Sequence, residues 1–194
     1  MRLVGEIHNI HMSLDELNKE IKNCRKCRLC ETATQAVPGE GNPRAEVFFV
    51  GEGPGFNEDK EGRPFCGAAG KFLDEMLKEN GFSRDDVFIG NIVKHRPPGN
   101  RDPLPDEVEA CIPWLNSQIE AIKPKIIVTL GRHSMHHFLP DAGSISLVHG
   151  KAFKKDGKLF LTLYHPAAGL HQGNLKETIR ADFKNIKKLM KIVK

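Results

Sequence analysis

Hydrophobic residues recur along this chain with two periods, one typical of β-strands and one typical of α-helices. Four short apolar runs predict buried strands, over residues 47–50, 87–93, 125–130 and 159–164. Apolar positions at helical spacing predict helices before, between and after these strands. Because strands alternate with helices and no tight hairpin is expected, the pattern predicts an α/β fold, a three-layer α/β/α sandwich around a central four-stranded parallel sheet.

Capping and helix-breaking residues set the bounds of these elements. Ser13 and Glu16 form the sequence pattern of a capping box at the start of the first helix. Pro105 suits the first turn of a long helix, and the breakers within residues 96–103 predict a rigid loop before it. Residues 1–12 lack periodicity, so we expect a flexible leader there and a single domain over residues 13–194.

The composition is that of an ordinary globular protein, with 39% hydrophobic and 28% charged residues. No apolar run is long enough to cross a bilayer and no signal-peptide pattern opens the chain, so we expect a cytoplasmic protein without a membrane partner. The formal net charge of +4 is compatible with a polyanionic partner but does not require one.

The five cysteines, three of them crowded at Cys24, Cys27 and Cys30, point to metal binding. An odd number of cysteines in a reducing compartment is poorly explained by disulfides. The C-x-x-C spacing of Cys24 and Cys27 suits thiolate ligands of either zinc or an iron–sulfur cluster. Cys111 lies on the apolar stripe of the helix that begins at Pro105, and alone it would indicate a core residue.

Glycine and polar residues directly follow three of the predicted strands. The sequence GEGPG at 51–55 follows the first strand, Asn91 lies at the tip of the second, and His165 ends the fourth. Since the carboxyl ends of parallel strands meet at one edge of a sheet, a ligand site is expected there. Each feature alone has a structural explanation, as a connection, a turn residue or a satisfied histidine. Their occurrence together favours a functional site.

Four spaced motifs occur in order along the chain. They are Gly51-Glu52-Gly53-Pro54-Gly55, Gly62-Arg63-Pro64-Phe65, Asn91-Ile92-Val93-Lys94 with Arg96-Pro97-Pro98-Gly99-Asn100-Arg101, and His165-Pro166-Ala167-Ala168. Together they closely resemble the uracil-DNA glycosylase superfamily, and within it the iron–sulfur branch called family 4. The resemblance covers nearly everything between residues 14 and 193. It implies an enzyme that excises uracil from DNA by cutting the N-glycosidic bond, which initiates base excision repair.

The resemblance also implies which residues hold the base. A glycosylase must draw its target nucleotide out of the duplex into a shaped pocket. Phe65 would stack on the base, Asn91 matches the O4 acceptor and the N3–H donor of uracil, and His165 would donate to O2 as negative charge develops there. A lone Phe65 would otherwise be a core aromatic. The implied substrate-binding residues are Gly51, Glu52, Gly53, Gly55, Phe65, Asn91 and His165.

Several groups are candidates for orienting the attacking water. Better-known members of the superfamily have an aspartate where this chain has Gly53, so no carboxylate occupies that place. Glu52 ranks first among the remaining groups, ahead of Glu58 and Asn100, although each of the three could instead cap a backbone amide or, for Asn100, touch phosphate. The implied catalytic set is therefore Glu52, His165, Asn91, Glu58 and Asn100.

The chain is expected to bind uracil-containing DNA as a monomer. The resemblance implies contacts to this DNA beside the pocket. Arg96 and Arg101, together with Lys94, are expected to contact phosphates. Leu170 follows a run of small residues that includes Ala168, and it is a candidate wedge for the gap that the flipped base leaves. The implied DNA-binding residues are Arg96, Arg101, Ala168 and Leu170.

The resemblance implies a 4Fe–4S cluster, with zinc as the less favoured occupant. Its ligands would be Cys24, Cys27, His95 and Cys111. The family usually has cysteine where this chain has His95, but histidine ligation has precedent in other clusters. Cys30 is the rival fourth ligand. We expect the cluster to have a structural role, clamping the loop at 96–102 over the DNA.

Two departures from the family pattern keep other functions open. The family commonly has valine where this chain has Cys66. The pair Lys94-His95 is similar to one in a relative that binds uracil-DNA covalently, although the extended basic loop of that relative is absent here. Uracil excision therefore competes with uracil-DNA binding or covalent trapping with little turnover, and with a metal-clamped redox protein. The three base-holding residues favour excision, because electron transfer needs none of them.

Overall fold

The structure is a computed structural model that describes residues 12–193. Of the predicted leader over residues 1–12, only Met12 is among the described residues. The strands are β1 Glu40–Gly41, β2 Val47–Gly51, β3 Phe88–Asn91, β4 Ile126–Leu130, β5 Ala152–Lys155 and β6 Lys158–Leu163. The helices are α1 Leu14–Lys22, α2 Leu29–Thr32, α3 Phe56–Glu61, α4 Ala68–Glu79, α5 Pro105–Ile122, α6 Arg132–Phe138, α7 Ile145–Val148, α8 Pro166–His171 and α9 Gly173–Ile192.

The strands form one sheet in the order β1-β3-β2-β4-β6-β5. The middle four strands are parallel, which confirms the predicted fold class. Their carboxyl ends are level, because Gly51 pairs with Asn91 and Leu130 pairs with Leu163. The residues that follow these strands therefore meet at a single edge of the sheet.

Two antiparallel edge strands, β1 and β5, were not predicted. β5 joins β6 through a two-residue loop of Asp156 and Gly157, whose φ angles are 49° and 75°. This is a tight hairpin with the Asp-Gly signature, so the expectation that the chain has none was wrong. β5 escaped notice because it is exposed and ends in two lysines, and β1 because it is two residues long.

The core lies on both faces of the sheet, as the three-layer prediction requires. Along β2, Phe48 and Val50 face α1 and α5, whereas Val47 and Phe49 face α4 and α9. A strand buried on both faces gives the continuous apolar run that predicted it.

The main helices begin where their sequence signals predict. At the start of α1, Ser13 Oγ accepts from the backbone N–H of Glu16 at 3.3 Å, and the Glu16 carboxylate accepts from the Ser13 N–H at 2.8 Å. Pro105 occupies the first turn of α5. No helix within residues 12–193 has the length and hydropathy that a bilayer crossing needs.

We expect Phe183→Ala to destabilise the fold strongly. Phe183 of α9 is fully buried and stacks on Phe49 with ring centroids 5.7 Å apart, so the truncation leaves a cavity against β2. The free energy of unfolding, measured by denaturant titration, should fall by about 3–5 kcal/mol. The neighbouring exposed substitution Lys184→Ala should change it by less than about 0.5 kcal/mol. Equal effects of the two substitutions would contradict this account of the core.

Candidate active site

A cavity of about 480 Å³ opens at the carboxyl edge of the parallel strands. Most of the predicted site residues line it, namely Glu52, Gly53, Gly55, Glu58, Phe65, Asn91, Asn100, Arg101 and His165. Gly51, another predicted substrate-binding residue, does not line the cavity itself but lies next to the lining residues Phe65 and Asn91. The structure therefore brings together residues that come from four separate segments of the chain.

Close packing at the floor of the cavity depends on glycine at position 51. Gly51 ends β2 and lies opposite Asn91 of β3. A Cβ atom at this position would lie 2.8 Å from Cζ of Phe65 and closer still to Oδ1 of Asn91. Since a side chain has no room there, glycine is what allows Phe65 and Asn91 to meet.

Phe65 is fixed in the cavity wall through its backbone. Its φ of 51° is left-handed, which is uncommon for a bulky residue. Arg84 donates to the carbonyl oxygen of Pro64 at 2.9 Å and also to that of Phe65. The Phe65 ring stacks against His165 with centroids 5.4 Å apart. The guanidinium therefore holds the loop so that the phenyl ring stays beside the histidine.

Asn91 carries an acceptor that the protein does not use. The residue is 2% exposed, and its Oδ1 has no hydrogen-bond partner among the described residues. Leaving a buried polar atom unpaired costs about 1–3 kcal/mol. The Asn91 carbonyl, in contrast, accepts a bond of 2.8 Å from Nζ of Lys94, which fixes the end of β3. An acceptor held this way is available to a donor on a ligand in the cavity.

His165 is a neutral hydrogen-bond donor. It caps α8, and its Nδ1 accepts from the backbone N–H of Ala167 at 3.1 Å. The ring proton therefore lies on Nε2, which is left to donate. Burial lowers the pKa of His165 to about 4, with a small opposing effect of Glu58. The imidazole is uncharged at neutral pH.

Both carboxylate oxygens of Glu58 accept backbone hydrogen bonds. Oε2 accepts from Gly55 at 3.1 Å, and Oε1 accepts from Cys66 and Gly67 at 3.0 Å each. Glu58 therefore ties the glycine turn to the loop after Phe65. These bonds favour a positioning role for Glu58 over the orientation of water.

Asn100 and Glu52 are the other candidates for orienting water. Oδ1 of Asn100 accepts from Nε of Arg96 at 2.6 Å, so its acceptor is occupied. The Glu52 carboxylate is half-buried at the cavity mouth, and Nε2 of His133 lies 3.5 Å from its Oε2. Burial is the main influence on Glu52 and raises its pKa. Glu52 accordingly stays first among the three candidates.

Two of the predicted phosphate contacts are engaged inside the protein. Lys94 is 1% exposed and donates to Oε1 of Gln118 at 2.7 Å, so the prediction that it reaches phosphate was wrong. Arg101 lines the cavity but donates twice to the buried carboxylate of Glu107, at 2.7 and 2.8 Å. This pair compensates the Arg101 charge and fastens the loop to the start of α5.

Exposed apolar side chains and positive charge lie beside the cavity. Phe56, which the sequence analysis did not single out, is 61% exposed and has the guanidinium of Arg96 5.2 Å from its ring centroid. Leu170 is 44% exposed on α8, and Ala168 is half-buried on the same helix. Aromatic and cationic groups together suit unstacked nucleotides, since bases stack on such surfaces.

Three cysteines approach one another beside α5. Burial raises the pKa of Cys111 to about 11, an effect that Lys94 opposes and that the nearby Cys27 and Cys24 increase. Nε1 of Trp114 donates to Sγ of Cys24 at 3.1 Å, and the backbone N–H of Lys94 donates to Sγ of Cys111 at 3.2 Å. Sulfur atoms that accept N–H bonds are typical of tuned metal–thiolate sites.

These residues are compatible with a metal cluster. His95 is buried, and burial lowers its pKa, which keeps the ring neutral as a ligand must be. Cys30 remains a rival, because it lies near enough to Cys27 to raise the pKa of that thiol. Within the described part of the chain, no three of these ligand atoms gather within 4.8 Å of one another.

Two residues at the cavity mouth were missed by the sequence analysis, Asp102 and His133. Nε2 of His133 lies 3.2 Å from Oδ2 of Asp102. His133 belongs to α6, which begins directly after β4. The end of a parallel strand was the signal that indicated Asn91 and His165, and the same signal applied to β4 would have found His133.

Known proteins resemble this chain over most of its length. Residues 38–187 match the model of the family described as the uracil DNA glycosylase superfamily. A Type-4 uracil-DNA glycosylase from Sulfurisphaera tokodaii is 52% identical over 186 residues, which cover 91% of this chain and 84% of the relative. A Type-4 enzyme from Archaeoglobus fulgidus is 49% identical, covering 91% and 93% of the two chains, and one from Thermotoga maritima is 39% identical, covering 92% and 95%.

We expect His165 to stay neutral from about pH 5 to 8. Its pKa of about 4 in the folded protein lies below the value of about 6.5 expected in the unfolded chain. The unfolded chain therefore binds more protons between these values, and this histidine's contribution to stability is lost as the pH falls from about 6.5 to 4. NMR titration of the labelled imidazole should show the proton on Nε2. A folded-state midpoint near 6.5 would contradict the assignment.

Proposed function

The chain belongs to the uracil DNA glycosylase superfamily, and from this membership we propose that it excises uracil from DNA by hydrolysing the bond between N1 of the base and C1′ of the sugar. The products are free uracil and an abasic site, from which base excision repair proceeds. The observation that carries the proposal is the buried, unpaired Oδ1 of Asn91 in the cavity that Phe65 and His165 share. A metal-clamped redox protein needs none of that combination.

The cavity suits one base extruded from the DNA. Its volume of about 480 Å³ is within the range of small-molecule sites, and chemistry on a base requires that the base leave the stack. Phe65 offers a flat apolar face for stacking. Because Arg84 and Gly51 already fix that ring, the base enters a preformed slot and little ordering is needed on binding.

Asn91 reads the base. Oδ1 accepts the N3–H of uracil, and the amide nitrogen of the same side chain donates to O4. Cytosine lacks an N3–H and presents an amino group in place of O4, so both amide atoms would be left mispaired. Each buried unpaired group costs about 1–3 kcal/mol, which is enough to discriminate between the two bases.

His165 stabilises the departing base. As the N-glycosidic bond breaks, its electron pair moves into the uracil ring and negative charge gathers at O2. Nε2–H of His165 donates to O2, and this bond strengthens as the charge develops, so it favours the transition state over the ground state. A neutral donor suffices because the leaving anion is delocalised over the ring.

Glu52 orients the water that completes the reaction. Departure of uracil leaves positive charge at C1′ of the sugar, and the water oxygen forms the new bond there. The water gives a proton to the Glu52 carboxylate, which must therefore be ionised at the start. Glu58 and Asn100 support this step indirectly, because their own acceptors are occupied by backbone N–H groups and by Arg96.

Cys24, Cys27, Cys111 and His95 would hold a 4Fe–4S cluster in this proposal. When bound, the cluster supplies a cross-link between the segment after α1, the end of β3 and the middle of α5. The donor set described above supports this ligation, since three thiols and a neutral imidazole come from those three segments. The cross-link would steady the loop at 96–102 beside the cavity.

Covalent trapping is less well supported, because the trapping relative has an extended basic loop with a second, reactive histidine, whereas the corresponding loop here, at residues 96–102, is short and contains no histidine. A redox function leaves the unpaired Asn91 acceptor without a purpose. Leu170 and Arg96 are placed beside the cavity, where they would fill the gap in the DNA stack and contact a phosphate.

We expect the protein to remove uracil from an oligonucleotide, so that alkali then cleaves the strand. Asn91→Ala and His165→Ala should each lower the single-turnover rate by about 10²–10³, the usual cost of losing a transition-state donor or a base contact. Asn116→Ala and His136→Ala, at exposed positions on α5 and α6, should leave the rate unchanged. A band shifted under denaturing conditions would indicate covalent trapping instead. Rates near that of the unchanged chain in both site variants would refute the assigned roles.

We expect the purified protein to contain iron and to absorb visible light. His95→Cys should keep the iron, because thiolate is the commoner cluster ligand, whereas His95→Ala should lose it. Cys30→Ser should retain the metal content of the unchanged chain. Elemental analysis and the visible spectrum measure the outcome. If Cys30→Ser loses the iron and His95→Ala keeps it, then Cys30 is the fourth ligand.

A further inference from the structure

A cluster of four charged or titratable residues lies at the mouth of the cavity. Glu52 comes from the end of β2, Asp102 from the loop before α5, and Arg132 and His133 from the first turn of α6. Nε2 of His133 is 3.5 Å from the Glu52 carboxylate and 3.2 Å from that of Asp102. One carboxylate oxygen of Glu52, one of Asp102 and a ring nitrogen of His133 all lie within 4.8 Å of one another.

Arg132 links the members of this cluster. Its NH2 group donates to Oδ2 of Asp102 at 3.0 Å, and its Nε lies 2.9 Å from Nε2 of His133. Nε2 of His133 therefore lies between the Arg132 guanidinium and the carboxylates of Asp102 and Glu52.

We propose that Asp102, Arg132 and His133 are positioning residues, which hold the Glu52 carboxylate at the cavity mouth, turned toward the attacking water, and together set the pH range in which it is ionised. The inference rests on the function proposed above for Glu52. Glu52 lines the cavity and these three described residues are not among its lining residues, so they act on the reaction through Glu52. They arise from a strand end and a loop that the four sequence motifs only partly cover.

Opposing charges in the cluster set the ionisation of Glu52. Burial, the largest influence, raises its pKa; a protonated His133 lowers it, Asp102 raises it, and Arg132 lowers it. Four other ionisable groups line the cavity wall. They are Glu58, bound to backbone N–H groups, Arg101, paired with Glu107, His165, which is neutral, and His171.

The test is the pH dependence of single-turnover uracil excision by the full-length protein. The rate should fall along the acid limb of the pH profile, where Glu52 takes up a proton. Arg132 and His133 both lower the pKa of Glu52, so the acid limb should move to higher pH in Arg132→Gln and in His133→Gln. Asp102→Asn removes a negative charge, so the limb should move to lower pH. Each shift should be about 0.2–0.7 pH unit, the scale of interactions between partly exposed charges.

Two controls separate this role from a general loss of structure. His136→Gln removes an exposed histidine from the same helix and should leave the limb in place. Glu52→Gln should slow excision and abolish the limb. Shifts of opposite sign would support the inference, because damage to the fold would not move the limb in two directions. Coincident limbs in all three cluster variants, shifts of one sign, or a limb that survives Glu52→Gln would overturn it. If the unchanged chain fails to excise uracil, the proposed function falls and this inference with it.

Discussion

The absence of a side chain at position 51 is the constraint on which the cavity depends. Gly51 is level with Asn91 across the parallel ladder, and Phe65 packs against both. Any larger residue would push the amide or the phenyl ring away from the place where they meet. The same parallel register brings the end of β6 to this edge, so that His165 faces Phe65. The arrangement of the site is therefore a property of the sheet, and the loops refine it.

Charged side chains hold the backbone of the site in place. Arg84 binds the carbonyl group of Phe65, Glu58 gathers three N–H groups from two loops, and buried Lys94 binds the carbonyl group of Asn91. Bonds to charged groups are stronger than neutral ones, and together they offset the roughly 1–3 kcal/mol that a left-handed phenylalanine costs. The groups that would meet a flipped base are thereby ordered before it arrives, which is the condition for electrostatic catalysis.

The parallel core could be predicted because strands buried on both faces leave continuous apolar runs, whereas β5 is exposed and leaves none. The strand-end rule likewise identified Asn91 and His165. It could not show that Lys94 turns inward, because its partner Gln118 lies on a helix 24 residues away. The pairing of Arg101 with Glu107 was also hidden, since a pattern of charges does not reveal which arginine is compensated.

The two edges of the sheet bear on how copies of this protein meet. An unpaired strand edge offers N–H and C=O groups on which a second chain can extend the sheet. Here one edge is β1, which is too short to offer more than a few such groups. The other edge is β5. Its hairpin with β6 carries Lys154, Lys155 and Lys158, so two copies that approach each other at this edge would be repelled by their like charges. Pairing of two copies through these strand edges is thereby disfavoured.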